Sequence, residues 1–475
     1  MKFIVITTLI LVTLAFAVDE AVAQSGRPSA LTSATPDPVT QKTIKDLFDE
    51  ANRYVRDKAA EMEAKKIGFS EARLAQLNLE QRQLAARYAG IAAARKDLVT
   101  EDVYYVAMLN WIAENLDATI EAMLRFTTAT DASPDRIQTA RSILIVSMAK
   151  RGKTSEAEEV LATYLSSKPT KLTEIARMNS ELAKAYQKKN DFAKMAPHAT
   201  EAFKAAKTLL ADAVSRARGL DEILDTGMLS FEAFRDLGEQ TKAENVLEEM
   251  RASAVETQST SFYYYSTDAK IRYLIESGRK AAGLAEYRSA LGSAGRYFEK
   301  PELREDVISR LKRRDKHYAI LGEPAPPLPK FDNWIGGTAK TLDDLKGKVV
   351  LLDFWATWCG PCFEAFPHLR EWQADHSNDG FVILGLTRYY DAASGNATEK
   401  AREVEKLKRF KVEHKLDYDI PVALGQESQI IYGAMGLPTT VLIDRKGVVR
   451  YVATGTSLSR MEELRSMIVK LIAEK

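Results

Sequence analysis

The feature that most constrains the fold is an apolar run that leads directly into a pair of cysteines. KVVLLDFWA, residues 348–356, has the length and composition of a buried strand. Cys359-Gly360-Pro361-Cys362 follows it, and a proline in this place suits the first turn of a helix. A strand that passes through a tight turn into a helix predicts an α/β fold, with both thiols at the start of the helix.

The spacing of the thiols indicates their chemistry, because the chain has no other cysteine. The positive end of the helix favours a thiolate on Cys359 as the attacking sulfur, and Cys362 can then resolve the mixed disulfide. A structural disulfide would more often close a longer loop, and two thiolates are too few ligands for a zinc site. The pair therefore predicts a redox-active disulfide, with no metal and no cofactor.

Charge and histidine content exclude other classes of site. The chain has 67 basic and 66 acidic residues, so no overall field favours nucleic acid or an anionic membrane surface. The histidines form no close-spaced pair and are interpreted as solvated or packed side chains: His198, His317, His368, His376 and His414.

The N-terminus has the pattern of a secretory signal. Lys2 is followed by an apolar run, residues 3–18, and by the small-residue motif Ala21-Val22-Ala23. We predict a signal peptide over 1–23 and a flexible linker over 24–44, which is rich in Ser, Thr and Pro. The mature chain would be exported to the periplasm or another extracytoplasmic compartment and be soluble there; a retained N-terminal anchor is the alternative.

Residues 45–320 are helical in pattern throughout, and we predict an all-α array of helix hairpins. Turns are predicted at Gly152, Asn190, Gly238 and Gly278, which lie 38, 48 and 40 positions apart. The segments around them resemble tetratricopeptide helix pairs, with Ala157 and Ala243 at the small positions. The array either binds a protein partner or serves as a packing or spacing domain. The aromatic run at 262–265 is likewise either a recognition patch or core.

A proline-rich segment, residues 321–329, marks the predicted domain boundary, because its prolines cannot continue a helix. Beyond it strands and helices alternate. Further strands are predicted at FVILGLT (381–387), TTVLID (439–444) and GVVRYVATG (447–455), with helices in the charged segment 399–416 and at the C-terminus from 457. A central sheet with helices on its faces follows for residues 321–475.

The motifs of this region resemble a known family. LLDFWATWCGPC resembles the active-site segment of thioredoxin, and GEPAP, LDDLKGKVVLLDFWATWCGPC and GLPTTVLIDRKGVV together resemble the exported TlpA/ResA group of the redoxin (AhpC/TSA-related) proteins. The resemblance covers residues 321–475 and implies a thioredoxin fold. The predicted architecture is therefore a tetratricopeptide-like helical array followed by an α/β thioredoxin domain.

The resemblance also implies roles for single residues. Pro438 matches the cis-proline that lies opposite the dithiol, where the backbone at Leu437 pairs with an extended substrate. Asp353 matches the buried acid that handles the proton of Cys362. Trp358, together with Gly360 and Pro361 of the turn, is predicted to contact substrate.

One position departs from the pattern of many exported relatives. Their helix carries Glu directly before Phe-Pro, where this chain has Ala365, and Glu364 is shifted by one residue. A shift of one residue turns a helical side chain by about 100 degrees, so Glu364 is not expected to take over that role.

By resemblance, the function is the reduction of disulfides in exported proteins, with electrons supplied by a membrane donor. Apocytochrome c is one of the implied substrates, which would place the protein in cytochrome c biogenesis. Two alternatives remain. One is a peroxiredoxin-like thiol peroxidase, in which Cys359 attacks peroxide, although Ala356 does not match the threonine of the peroxidatic motif. The other is a helical partner-binding protein with a passenger thioredoxin domain.

Overall fold

The computed structural model describes residues 41–68 and 70–474. The predicted signal peptide and the linker up to residue 40 lie outside the described residues. The chain divides into two compact units, one up to Val246 and one from Leu247. No helix within the described ranges is long and apolar enough to cross a membrane.

The first unit is built of helices that pack against their neighbours in sequence. They are α1 (Ile44–Ala64), α2 (Glu71–Ala93), α3 (Thr100–Ile112), α4 (Leu116–Thr127), α5 (Pro134–Lys150), α6 (Thr154–Ser166), α7 (Leu172–Lys188), α8 (Phe192–Ala211) and α9 (Arg216–Asp236), with α10 (Gln240–Glu256) running on into the second unit.

The predicted helical hairpins are confirmed at their turns. Gly152, Asn190, Gly238 and Gly278 each lie between two consecutive helices, with positive φ angles of 74°, 55°, 74° and 79°. This left-handed conformation suits glycine and is tolerated by asparagine, which explains the residue types at the turns. The tetratricopeptide likeness of the array stays a prediction, as does its role.

The second unit combines helices with a mixed sheet. Its helices are α11 (Thr260–Glu276), α12 (Lys280–Tyr297), α13 (Pro301–Lys312), α14 (Asp315–Ile320), α15 (Gly360–His376), α16 (Ala397–Glu413), α17 (Glu427–Tyr432) and α18 (Leu458–Ala473). Its strands are β1 (Asn333–Ile335), β2 (Val349–Phe354), β3 (Phe381–Arg388), β4 (Ile420–Ala423), β5 (Thr439–Ile443) and β6 (Val449–Thr454).

The sheet has the strand order β1-β4-β3-β2-β5-β6. The central strand β2 runs parallel to β3 and antiparallel to β5, and all of its residues are buried. With α15, α16 and α18 packed into one core with these strands, this region is a thioredoxin-like α/β domain. The predicted strands match β2, β3, β5 and β6, whereas β1 and β4 were not predicted.

The proline-rich segment is extended, but it is not a free connection. Its first residues form backbone hydrogen bonds with the beginning of the edge strand β6: Gly322 N donates to Val449 O at 2.8 Å, and Val449 N donates to Glu323 O at 2.9 Å. Ala325 N donates to Gly447 O at 2.8 Å. The pattern changes from helical to α/β here, as predicted, yet the compact unit already begins at Leu247. The division of the chain into domains at residue 321 stays a prediction.

The aromatic run at 262–265 lies in α11 and is divided between core and surface. Phe262 and Tyr263 are buried, and Tyr263 packs edge-on against Phe298 at 5.3 Å between ring centroids. Tyr265 is 46% exposed. The run therefore covers both the buried and the exposed side of one helix, as expected at 3.6 residues per turn.

Candidate active site

The two cysteines lie where β2 passes into α15, as the sequence predicts. Cys359 is the N-cap residue of α15, and Pro361 stands in the first turn, where its missing N–H leaves no bond unmade. Cys359 N donates to Ala356 O at 3.1 Å, and Cys362 N donates to Cys359 O at 3.0 Å. The two sulfurs are joined as a disulfide, with 5.4 Å between the Cα atoms.

The disulfide is buried beneath an exposed rim. Cys359 and Cys362 are 3% and 1% exposed, whereas Gly360 and Pro361 are exposed and Trp358 is 63% exposed. When the disulfide is reduced, the unpaired N–H groups and the positive end of α15 favour negative charge on the sulfur at the helix terminus, Cys359.

The loop that carries Pro438, residues 433–438, is called the proline loop and reaches the same end of the sheet. The peptide bond between Leu437 and Pro438 is cis, as the resemblance implied. Thr439 pairs with Phe354 in the antiparallel β2–β5 ladder, which places Pro438 beside the residues that lead from β2 into the dithiol turn. The Pro438 carbonyl accepts from Gly455 N at 2.7 Å. Leu437 is half-buried against the domain core. The substrate contacts of these two residues stay a prediction.

Asp353 is a buried acid in the centre of the sheet. It lies in β2 between Gly385 of β3 and Thr440 of β5, and it is 1% exposed. Neither of its carboxyl oxygens has a hydrogen-bond partner among the described groups, and burial raises its pKa to about 7. Because side chains alternate along a strand, Asp353 shares a sheet face with Trp355, whose ring contacts Phe366 of the dithiol helix at 5.6 Å. The carboxyl group therefore lies on the side of the sheet that α15 covers.

Two further polar side chains, those of Trp355 and Tyr418, share the surroundings of Asp353. The sequence analysis did not identify Tyr418. A Cβ atom at Gly385 would lie 2.8 Å from Tyr418 Cε2 and 3.0 Å from Trp355 Nε1, so both rings lie over this glycine. Burial, followed by the charge of Asp353, raises the pKa of Tyr418 well above its usual range. A glycine inside the apolar strand FVILGLT was the signal that another group approaches the backbone closely.

The exposed indole of Trp358 is supported by a second group of residues that the sequence did not reveal. It packs edge-on against Tyr390, with 5.3 Å between ring centroids. The Arg388 guanidinium lies 4.1 Å from the centroid of the Tyr390 ring, and Arg388 Nε donates to Gln429 Oε1 at 3.2 Å. Gln429 Nε2 in turn donates to the Tyr390 hydroxyl at 3.3 Å. These contacts fix a large apolar surface at the rim of the disulfide.

Two neighbouring side chains of α15 mark the departure from the pattern of many exported relatives, and their surroundings differ. Ala365 is buried in the core, while Glu364 is exposed and accepts from the Thr456 hydroxyl at 3.3 Å. Across the described part of the chain, no group of three His, Cys, Asp or Glu side chains could hold a metal ion. The chemistry that the site itself offers is the formation, exchange and resolution of disulfides by its two sulfurs.

Comparisons with known proteins find similarity over the same region of the chain. The Redoxin family matches residues 322–468. Thiol-disulfide oxidoreductase ResA of Geobacillus thermodenitrificans is 31% identical over 144 residues, which cover 30% of this chain and 74% of that protein. Thioredoxin-like protein YneN of Bacillus subtilis is 28% identical over 130 residues, or 27% of this chain and 69% of its own length. A crystal structure of a thioredoxin-family thiol:disulfide interchange protein from Chlorobium tepidum TLS aligns with 32% of this chain and 96% of its own, at 21% identity and a TM-score of 0.26.

Proposed function

Because the chain belongs to the ResA-like thiol-disulfide oxidoreductases of the redoxin family, we propose that it is exported and reduces disulfides in exported proteins. The observation that carries the proposal is the disulfide at the N-terminus of α15, with the cis-proline loop at the same sheet end and a buried acid on the side facing the helix. Apocytochrome c is one candidate substrate, and a membrane protein is the proposed electron donor.

The reaction begins with the reduced dithiol. The thiolate of Cys359 attacks one sulfur of a client disulfide, a new sulfur–sulfur bond joins enzyme and client, and the other client sulfur leaves as a thiolate that takes up a proton. Trp358 and the backbone before Pro438 hold the extended client segment at the rim.

Resolution of the mixed disulfide needs a second thiolate. Asp353 accepts the proton of Cys362, and a carboxyl with a pKa of about 7 is suited to this transfer at neutral pH. Cys362 then attacks the sulfur of Cys359, the Cys359–Cys362 disulfide forms, and the second client sulfur leaves. Two electrons have passed to the client, and a dithiol donor must return two electrons to the enzyme.

The direction of electron flow is tested by the redox potential of the dithiol. Gly360-Pro361 between the cysteines and the buried acid Asp353 favour a potential near the roughly −270 mV of thioredoxin. Equilibration with glutathione or dithiothreitol buffers measures this value. A potential above roughly −180 mV, that of protein disulfide isomerase, would contradict the role as a reductant.

The substrates are tested by trapping. Cys362→Ser leaves Cys359 without its resolving thiol, so clients should accumulate as mixed disulfides on Cys359 after acid quenching in the native host. The double variant Cys359→Ser/Cys362→Ser is the matched control, because it retains every other surface. Adducts released by a reductant only from the single variant support the proposal. If neither variant forms adducts while the double variant still captures a partner without a covalent bond, the partner-binding alternative is favoured.

The peroxidase alternative is tested with the same protein. A thiol peroxidase would consume hydrogen peroxide through a sulfenic acid on Cys359, at a rate far above that of a free thiol. Disulfide exchange without such peroxide consumption is the expected result.

A further inference from the structure

The proline loop begins at Gly433, directly after α17. Its own tethers are local: Ala434 N donates to Gln429 O at 2.7 Å, and the Thr439 hydroxyl donates to Gly436 O at 2.7 Å. Met435 is 68% exposed. Two further tethers come from other parts of the chain. Gly455 N, directly after β6, donates to the Pro438 carbonyl at 2.7 Å, and His317 Nε2 of α14 lies 3.0 Å from the Gly433 carbonyl oxygen.

The ring of His317 is fixed in one tautomer by its two neighbours. Its Nδ1 lies 2.6 Å from Nη1 of Arg314, and a guanidinium can only donate, so Nδ1 accepts. The ring proton is then on Nε2, which donates to the Gly433 carbonyl. His317 is 2% exposed, and burial together with Arg314 lowers its pKa to about 4, so the ring is neutral at physiological pH.

Arg314 is itself anchored on both sides. Its Nε donates to Asp268 of α11 at 3.0 Å, and its Nη2 donates to the Val452 carbonyl of β6 at 3.2 Å. The Tyr318 hydroxyl donates to the same Asp268 carboxylate at 2.6 Å. The histidine is therefore held by a buried network that joins α11 and α14 to the sheet.

The contact at Gly433 is close. This residue has a φ of +67°, and a Cβ atom there would lie 2.8 Å from Lys316 Cβ and 2.9 Å from His317 Cδ2. Only glycine fits both the conformation and the space. A displacement of α14 would therefore be transmitted to the first residue of the proline loop.

We propose that His317 is a positioning residue for client binding: through the Gly433 carbonyl it fixes the proline loop in the geometry that pairs with an extended client. This inference rests on the proposed function, since the client is a disulfide-containing polypeptide. It gives α14 and its partner α11 a role in supporting the substrate site, although both precede the segment 322–468 that matches the Redoxin family.

The test compares two disulfides with the reduced full-length enzyme. Insulin has polypeptide on either side of its disulfides, whereas 5,5′-dithiobis(2-nitrobenzoic acid) has none. His317→Ala should lower kcat/KM for insulin on the order of tenfold, mainly through KM, because misplacement of a binding loop weakens orientation of the client. The reaction of Cys359 with the small disulfide should stay unchanged.

Two further variants separate positioning from general stability. His317→Gln retains a donor for Gly433 and an acceptor for Arg314, and it should restore most of the insulin activity. Glu463→Gln removes the ion pair between Arg272 of α11 and Glu463 of α18. This pair also links α11 to the rest of the domain but involves no residue of the proline loop, so the variant should leave insulin kinetics unchanged.

Hydrogen exchange gives a readout that does not depend on any client. The amides of residues 434–437 should exchange faster in His317→Ala than in the wild type, whereas those of β2 should not change. If wild-type enzyme does not reduce insulin, the proposed function fails. The hydrogen-exchange comparison still tests whether His317 holds the proline loop in place. Unchanged insulin kinetics or unchanged loop exchange in His317→Ala, or an equal loss with the small disulfide, would overturn the inference.

Discussion

Replacement of Asp353 by asparagine should stabilise the oxidised enzyme at alkaline pH. The carboxyl group is 1% exposed and has no hydrogen-bond partner within the described ranges, so its charged form is disfavoured in the folded state. Its pKa rises from 3.8 to about 7 on folding. Because one unit corresponds to about 1.4 kcal/mol, the shift amounts to about 4 kcal/mol.

The free energy of unfolding depends on pH because the folded and unfolded chains bind the proton of Asp353 with different affinities. Between pH 3.8 and about 7 the unfolded chain has released the proton that the folded state still holds, so the free energy of unfolding falls as the pH rises through this window. Below pH 3.8 the buried carboxyl does not reduce the free energy of unfolding, and above about pH 7 it reduces it by the full amount. The amide of an asparagine side chain does not ionise, so Asp353→Asn should gain about 4 kcal/mol at pH 8, about 2 kcal/mol at pH 5 and about 0.5 kcal/mol at pH 4.

Urea unfolding at these three pH values, with the disulfide intact, measures the difference. Asp444→Asn is the matched control, because Asp444 is also buried but its carboxylate accepts from Lys446 N, Val448 N and Arg450 Nη1. That variant should lose stability and show no alkaline gain. An equal effect of Asp353→Asn at pH 4 and pH 8 would refute the argument from burial. The same variant should also slow resolution of the mixed disulfide on the order of 100-fold, as expected for loss of a proton acceptor.

Two further predictions use the same assays. Trp358→Ala should change the free energy of unfolding by less than about 1 kcal/mol, since most of the indole is exposed, yet raise KM for insulin; a loss of reactivity toward the small disulfide instead would contradict its role in client binding. The folded-state pKa of His317, about 4, lies below its ordinary 6.5. The stability that the neutral ring contributes to the fold, about 3 kcal/mol, is therefore present above pH 6.5 and lost as the pH falls toward 4. The difference between wild type and His317→Gln in urea unfolding isolates this loss from the opposite trend of Asp353, and a difference independent of pH would contradict it.

Short-range patterns allowed much of the fold to be predicted. β2, the dithiol turn and the start of α15 follow one another in sequence, and each has a local signature. The turns at Gly152 and Gly238 were predictable because left-handed backbone strongly favours glycine. β1 and β4 were missed because they are short, at three and four residues, and β4 contains Pro421, which normally argues against a strand.

The site residues that were predicted are likewise those that belong to continuous sequence motifs. Cys359, Cys362, Asp353 and Pro438 were predicted because the motifs that contain them are continuous in sequence. His317 was interpreted only as solvated or packed, and its partner at Gly433 lies 116 residues further along the chain. Tyr390 and Gln429, which support Trp358, lie in separate segments without a shared pattern. Contacts between distant single residues leave no periodicity to read, so only the folded structure reveals them.

The pairing of residues 322–325 with β6 has a practical consequence for anyone who isolates the catalytic domain. An edge strand with open N–H and C=O groups is a template on which another chain can add a strand. In the intact protein, residues 322–325 occupy those groups at Gly447 and Val449. A fragment that starts at Pro327 would leave them open and would be prone to self-association, whereas a fragment that starts at Leu247 retains both this cover and the helices that contain Asp268 and His317.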